Sequence, residues 1–480
     1  MKPVIIGAGP AGLTAAHLLA ERGVPSILLE ASGAQVGGLS RTVAYKGFSF
    51  DIGGHRFFSK NPEIEAFWDH MLGDEMLSVE RLSRILYRGR FYDYPLRALN
   101  AFGNLGLLET FRCLASYLHA RLFPRRSVRS FEDWVVNQFG WRLYEVFFKT
   151  YTEKVWGMPC GEISADWAAQ RIKGLSLWGA IQNALLGGSA AKTLIDRFRY
   201  PRLGPGTMWE RVAGHVSANG CDLRMNARVA RILWGEDGAY AIGYTSDGAF
   251  GEVSCTDVIS TMDLRALVEA LEPAAPPEVR SAAAGLRYRD FLTVVLIVDQ
   301  AEVFPDNWIY VHEPQVRVGR LQNYKRWSPE MVPDARRTGL GLEYFCFEGD
   351  GLWSATDEEL IALGCRELEI LGLVPASRVV DGTVVRVRKA YPVYDDGYRE
   401  NVRLIRDFFE VRIPNLHFAG RNGMHRYNNQ DHAMMTGLLA AERILGGTRD
   451  PWRVNADAEY LENASRDEPD DARAVPERVS

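Results

Sequence analysis

Three glycines near the start of the chain are spaced for one task, holding a pyrophosphate. Gly7-x-Gly9-x-x-Gly12 follows the β-branched run Val4-Ile5-Ile6 and opens an Ala/Leu-rich helical pattern. That strand, turn and helix context gives a dinucleotide fingerprint its mechanical meaning. Gly7 allows the tight turn, Gly9 lets backbone approach the phosphates, and Gly12 lets helix and strand pack closely. The helix N-terminus then presents unpaired N–H groups to negative charge. An acid that accepts from ribose hydroxyls is expected about 20 residues further on. Glu30, which ends Ser26-Ile-Leu-Leu, occupies that place.

A second glycine set follows, Gly37-Gly38 with Arg41, then Asp51-Ile-Gly53-Gly54-His55. Such pairs serve either as hairpin turns in a β-rich insert or as backbone passing close to a flat ligand that a side chain would strike. In the second case Arg41 can reach phosphate, and His55, freed by its two glycines, can hold or move a proton near neutral pH. A lone histidine is more commonly structural. Near the other end, Asn415-Leu-His-Phe-Ala-Gly420-Arg421 repeats the strand and glycine-turn logic, and Asp431 to Leu445 reads as a helix whose N-terminus faces the same ligand.

The elements that must position these residues come in blocks. Residues 1–60, 197–290 and 388–447 carry the short apolar strands and glycine turns of one nucleotide-binding lobe in three separated pieces. Residues 61–196 show apolar spacing of three and four, which predicts a helical lobe, and 291–387 contain several strand-like runs with one helix, which predicts a mixed sheet. Residues 448–480 read as a polar, partly disordered tail. Within the helical lobe, Phe102 to Phe123 followed by Pro124-Arg125-Arg126 is amphipathic with a basic end. It suits either packing against another helix or contact with a membrane surface.

Composition removes several function classes. With 480 residues, 47% hydrophobic and 24% charged, the chain suits a multi-lobed globular protein, and a formal net charge of −5 offers no general attraction for nucleic acid. Six cysteines lie scattered, without CxxC pairs or His/Cys clusters at metal-ligand spacing, so no metal is expected. No apolar run approaches membrane-spanning length. Reduced thiols and a fingerprint strand beginning at residue 3 lead to the expectation of a cytoplasmic protein; the oligomeric state stays open.

Together these stretches resemble the UDP-galactopyranose mutases, especially their eukaryotic branch, within the wider flavin amine oxidase and protoporphyrinogen oxidase group. The group-wide motifs are the N-terminal fingerprint, Gly37-Gly38 with Arg41, Asn226-x-x-Val229 and Gly420-Arg421; Gly54-His55 and Asn429-Gln430-Asp431 are more specific to the mutases. The resemblance implies an α/β fold with a Rossmann-like, discontinuous FAD-binding domain, a helical insert and a mixed-sheet substrate domain. It implies FAD on the residues just named, active when reduced, with NAD(P)H as reductant. Substrate contacts are implied for Trp156, Trp167, Tyr310, Arg320, Tyr391 and Tyr427, and for one of Arg199 and Arg202, which compete for one diphosphate role. Taken as isolated residues, the tryptophans and tyrosines suit core packing equally well.

The implied reaction is a ring change of a nucleotide sugar, UDP-linked, between pyranose and furanose forms. N5 of reduced FAD attacks the anomeric carbon and no net electron moves. His55, Arg320 and Tyr391 carry the catalytic expectation, the arginine because guanidinium stabilises a departing diphosphate. The alternative is net oxidation by an enzyme of the amine oxidase or protoporphyrinogen oxidase type. The sequence departs from the mutase pattern at His425, which stands where a tyrosine is expected, with Tyr427 displaced toward Asn429, and at Leu203 and Pro205 after Arg202.

Overall fold

The structure is a computed structural model that describes residues 2–165 and 197–455. Its centre is a five-stranded parallel sheet in the spatial order Leu416–Phe418, Asp257–Ser260, Pro3–Ile6, Ser26–Leu29, Cys221–Arg224. A parallel sheet must be covered on both faces, and the two-residue side-chain period divides the work. Ile5 joins a core with the helices Pro10–Glu21, Gly206–Ala218 and Gln430–Ile444, while Val4 and Ile6 join the core on the other face with Ile232, Trp234 and Phe409. Each of the three is at most 5% exposed, and burying one such side chain is worth about 1.5–3 kcal/mol. The first and last of these helices touch so closely that a Cβ on Gly437 would sit 2.1 Å from the Ala11 carbonyl oxygen. This contact ties the chain's separated pieces into one lobe.

The second lobe is built on a seven-stranded sheet ordered Val379–Pro392, Tyr288–Val298, Thr338–Cys346, Arg320–Asn323, Trp308–Val311, Ser83–Tyr87, Arg90–Asp93. The last two strands come from the stretch expected to be helical, as does Met76–Glu80, which pairs with Arg197–Pro201. The reason is a turn that the residue types do not announce. Arg88 (φ 51°) and Gly89 (φ 67°) are both left-handed, the backbone of a two-residue hairpin that is usually signalled by Asn-Gly or Asp-Gly. Around it lie the helices Pro62–Leu72, Ala98–Leu105, Leu107–Leu122 and Phe131–Phe139.

Residues 221–235 form two strands. Asn226 (φ 52°) breaks the run between Cys221–Arg224 and Arg228–Gly235, and the second strand belongs to a separate antiparallel sheet. All six cysteines are free thiols. Among the described residues no helix is long and apolar enough to cross a membrane.

Candidate active site

The fingerprint forms a cradle. Gly7 is left-handed (φ 95°), and a Cβ on Gly12 would lie 1.9 Å from the Gly7 carbonyl oxygen, so helix and strand meet at a distance only glycine permits. Gly9 caps the helix Pro10–Glu21 without any side-chain cap, which leaves the N-terminus open to an anion. The second glycine turn lies opposite: the Gly37 N–H donates to the Ala8 carbonyl at 2.8 Å, and a Cβ on Gly38 would come within 3.3 Å of Gly9 Cα. Arg41 donates to the Gly38 carbonyl at 2.8 Å and bends back over this turn. Burial lowers its pKa, against the pull of Glu30.

Glu30 accepts from the Ala8 N–H at 2.6 Å and the Ser32 N–H at 2.8 Å, one to each carboxylate oxygen. A carboxylate has about four acceptor positions, so both oxygens keep capacity for a diol. Beside it the Ala227 N–H donates to the Glu30 carbonyl, and half-buried Val229 is the second residue of the strand Arg228–Gly235 that follows.

The turn Gly420–Gly423 links this cradle to a cavity. Gly420 abuts Ala11 at the start of the first helix, and the next residue, Arg421, lines a cavity of about 180 Å³. One wall is a face of the seven-stranded sheet. Tyr310, Arg320 and Glu343 are direct cross-strand partners, with Trp308 opposite Gln322 in the next row, so register alone puts these side chains on one face. The second wall is the segment Ile52 to Phe58, including Gly54 and His55. The third is Tyr391, Arg421 and Tyr427 with Asn429, Gln430 and Asp431 at the head of the helix Gln430–Ile444.

Glu343 organises the sheet wall, and sequence reasoning missed it. It is fully buried, accepts from Arg320 Nε at 2.6 Å and Nη2 at 2.5 Å, and takes the Gln322 amide at 2.7 Å through its other oxygen. Burial opposes the charge on Arg320, but Glu343, with Tyr151, Tyr391 and Tyr310, holds its pKa well above the ordinary value. Arg320 is therefore a fixed cation with its fork oriented. On the opposite wall Tyr391 and Tyr427 stack at 5.5 Å and 15°, and the Arg421 guanidinium lies 4.7 Å from the Tyr427 ring. Arg421 is held by the Asn428 and Ala390 carbonyls. Burial, then Tyr427, raises the Tyr391 phenol, which stays protonated.

His55 sits between these walls. Burial, then the Arg421 and Arg320 charges, pushes its pKa down to about 3, so the imidazole is neutral at physiological pH and acts as a hydrogen-bonding group rather than a switching charge. Its loop is anchored at Asp51. The Asp51 carboxyl takes the Tyr200 hydroxyl at 2.5 Å and the Thr42 hydroxyl at 3.0 Å, and its backbone carbonyl takes the Tyr324 hydroxyl at 3.1 Å.

Burial, offset by the Tyr200 and Thr42 hydrogen bonds, raises the Asp51 pKa to about 7. The unfolded chain ionises this group near pH 3.9, so the unfolded state binds fewer protons between the two values. Stability should fall as pH rises from about 4 to 7, by up to roughly 4 kcal/mol for this group. Asp51→Asn, which keeps an acceptor for Tyr200, should flatten that slope in urea melts taken across the range.

The remaining expected residues lie elsewhere. Arg199 pairs with Glu65 at 2.9 Å and with Asp69, and Arg202 pairs with Glu330 at 2.5 Å. Neither lines the cavity, so the structure does not bring either expected diphosphate ligand to Arg320. Trp156, 2% exposed, packs in the core of the helical lobe. Trp167 falls outside the described residues. The departure at residue 425 has a structural account: His425 is left-handed (φ 45°), buried against Tyr288 and hydrogen-bonded to the Val393 carbonyl, while Tyr427 takes the cavity position. Arg56, Gln322 and Trp327 line the cavity without having been singled out.

The residues present fit a flavin dinucleotide on three observations. The glycine turns leave a gap beside an uncapped helix N-terminus. The Glu30 carboxylate waits at the far end of the cradle. At the cavity end, His55 Nδ1 and both amide atoms of Gln430 are buried without a hydrogen-bond partner among the described residues, a cost that a polar planar ligand would remove.

A parallel sheet with this cradle, opening into a polar cavity on a second sheet, defines a dinucleotide-dependent flavoenzyme. The chain belongs to the flavin containing amine oxidoreductase family, whose model matches residues 10–445, and its cofactor is FAD. Its fold is similar to that of reduced UDP-galactopyranose mutase (TM-score 0.82, 24% identity, covering 94% of this chain and 97% of that one). It is also similar to a putative protoporphyrinogen oxidase from Exiguobacterium sp. 255-15 (TM-score 0.70, 20% identity, 93% and 99% covered) and to putrescine oxidase bound to putrescine (TM-score 0.62, 18% identity, 93% and 100% covered).

Proposed function

We propose that this flavoenzyme is a nucleotide-sugar mutase, which interconverts pyranose and furanose forms of a UDP-linked hexose such as galactose without net redox change. The observation that carries the reading is the charge of the cavity. Among the described residues its lining holds Arg56, Arg320 and Arg421 against one carboxylate, Asp431, with Glu343 beneath Arg320. A protonated amine would meet like charge there, whereas a diphosphate would meet guanidinium groups in a partly dehydrated site, where each charge-assisted hydrogen bond is strongest.

In this reading Gly7, Gly9, Gly12, Glu30, Gly37, Gly38, Arg41 and Val229 would hold the dinucleotide part of FAD, and Gly54, His55, Gly420, Arg421, Asn429, Gln430 and Asp431 would hold its flavin. When bound, and reduced with NAD(P)H as the proposed reductant, FAD would supply a nucleophilic N5 for displacement of the diphosphate at the anomeric carbon. Arg320, oriented by Glu343, stabilises the negative charge that the leaving diphosphate gathers. Tyr310, Tyr391 and Tyr427 donate hydroxyls to it, and neutral His55 hydrogen-bonds the cofactor. The aromatic side chains of Trp308, Trp327 and the two stacked tyrosines line the cavity and would limit water, which would otherwise hydrolyse an activated sugar.

Membership of an oxidoreductase family favours a second reading, net oxidation of a substrate. The two separate in a ligand titration of the purified flavoprotein. The mutase reading expects UDP to change flavin fluorescence saturably and to do so more weakly after Tyr427→Ala. Absence of any response to UDP, together with flavin bleaching by an amine such as putrescine, would favour oxidation.

A further inference from the structure

The helix Leu107–Leu122 carries an outward face that the other described residues do not cover. Leu107, Leu108, Phe111, Leu118 and Leu122 are 94%, 67%, 70%, 57% and 72% exposed, and Phe123 just beyond is 69% exposed. At 100° per residue the five helical positions fall within an arc of about 100°. Cys113, Tyr117 and Ala120, on the opposite side, are buried. That inner side is pinned: a Cβ on Gly140 would strike the Tyr117 backbone at 2.6 Å, Ser116 Oγ accepts from the Arg142 N–H, and Glu109 pairs with Arg142. The apolar arc is thus held outward by the packing of its own helix.

We propose that this helix is a membrane-surface anchor that lies flat on anionic lipid headgroups. Charge selects that occupant. Arg112 and His119 flank one edge of the arc, Arg121 the other, and Arg126 and Arg129 follow the helix; all five are exposed. The one acid of the helix, Glu109, is 14% exposed and engaged with Arg142 and Arg112. A second copy docking through this face would bring arginines together with no acid from the helix to meet them. Anionic headgroups match the arginines while the acyl boundary takes Phe111, Leu118 and Leu122. The basicity is local, since the whole chain has a formal net charge of −5.

The test is co-sedimentation of the full-length flavoprotein with vesicles of phosphatidylcholine containing about 30 mol% phosphatidylglycerol, beside vesicles of phosphatidylcholine alone. The protein should pellet with the anionic vesicles, and salt at about 0.5 M should weaken this. Phe111→Ser/Leu118→Ser and Arg121→Glu/Arg126→Glu should each weaken binding by about tenfold or more. Both pairs are solvent-exposed, so flavin content should be unchanged and will show that the variants are folded. Protein that stays in the supernatant with both vesicle types would overturn the proposal. So would concentration-dependent self-association, seen by sedimentation velocity, that Phe111→Ser/Leu118→Ser abolishes while vesicle binding is absent.

Discussion

Arg320→Ala should lose about a hundredfold to a thousandfold in kcat/KM for ring interconversion, the usual effect of removing a fixed donor from a developing negative charge. It should also destabilise the protein, by about 3–5 kcal/mol, because Glu343 is left buried with only the Gln322 amide to answer it. The two effects separate in a double variant. Arg320→Ala/Glu343→Gln removes the stranded charge and should recover much of the stability in a urea melt, yet recover none of the activity. If activity returned with stability, Arg320 would be a structural cation and its place in the reaction would fall. Arg320→Lys keeps charge without the fork that Glu343 grips, and should sit between wild type and alanine.

The second large effect lies in the cradle, where two neighbouring glycines should behave differently. At Gly9 an added Cβ meets nothing nearer than 3.9 Å, the Gly38 Cα, and its backbone is extended (φ −83°, ψ −176°), which alanine adopts freely. Gly9→Ala should therefore fold with an almost unchanged thermal midpoint while the methyl occupies space that the phosphates need. Flavin content after purification, read by absorbance, should fall at least about tenfold. At Gly12 the same methyl would lie 1.9 Å from the Gly7 carbonyl oxygen. Gly12→Ala must push helix from strand and should cost at least about 3 kcal/mol, the upper end of ordinary overpacking, so that flavin and fold are lost together. Equal flavin retention in wild type and Gly9→Ala would mean that the gap between the two glycine turns is not the phosphate site.

The parts of this architecture legible in the sequence are those enforced by local backbone chemistry. Gly7, Gly9 and Gly12 can be read because strand, turn and helix stand next to one another in the chain. Tyr310, Arg320, Tyr391 and Tyr427 could be singled out because short stretches around them resemble a family, and the structure brings all four to one cavity. Glu343 could not, since its meaning depends on cross-strand register with Arg320, and a glutamate in an apolar strand carries no local mark of its partner.

The partners of Arg199 and Arg202 are hidden in the same way. The resemblance implies a diphosphate role for one of them, while the acids that pair with them here, Glu65, Asp69 and Glu330, come from distant elements. The hairpin at Arg88-Gly89 was hidden because arginine is an uncommon residue in a left-handed turn position. His425 and Tyr427 show the reverse case: a mismatch in the motif turned out to be a swap between a core position and a cavity position two residues apart.

The flavin here is proposed to serve a redox-neutral ring change. That role is tested most directly by incubating the protein with UDP-galactopyranose under anaerobic conditions, once with the flavin oxidised and once after reduction by dithionite, and separating the products by chromatography. The expected result is a UDP-galactofuranose peak with reduced protein, none with oxidised protein, and a flavin that remains reduced after many turnovers. No furanose from the reduced protein, with UDP-galactopyranose and other nucleotide sugars all recovered unchanged, would contradict it.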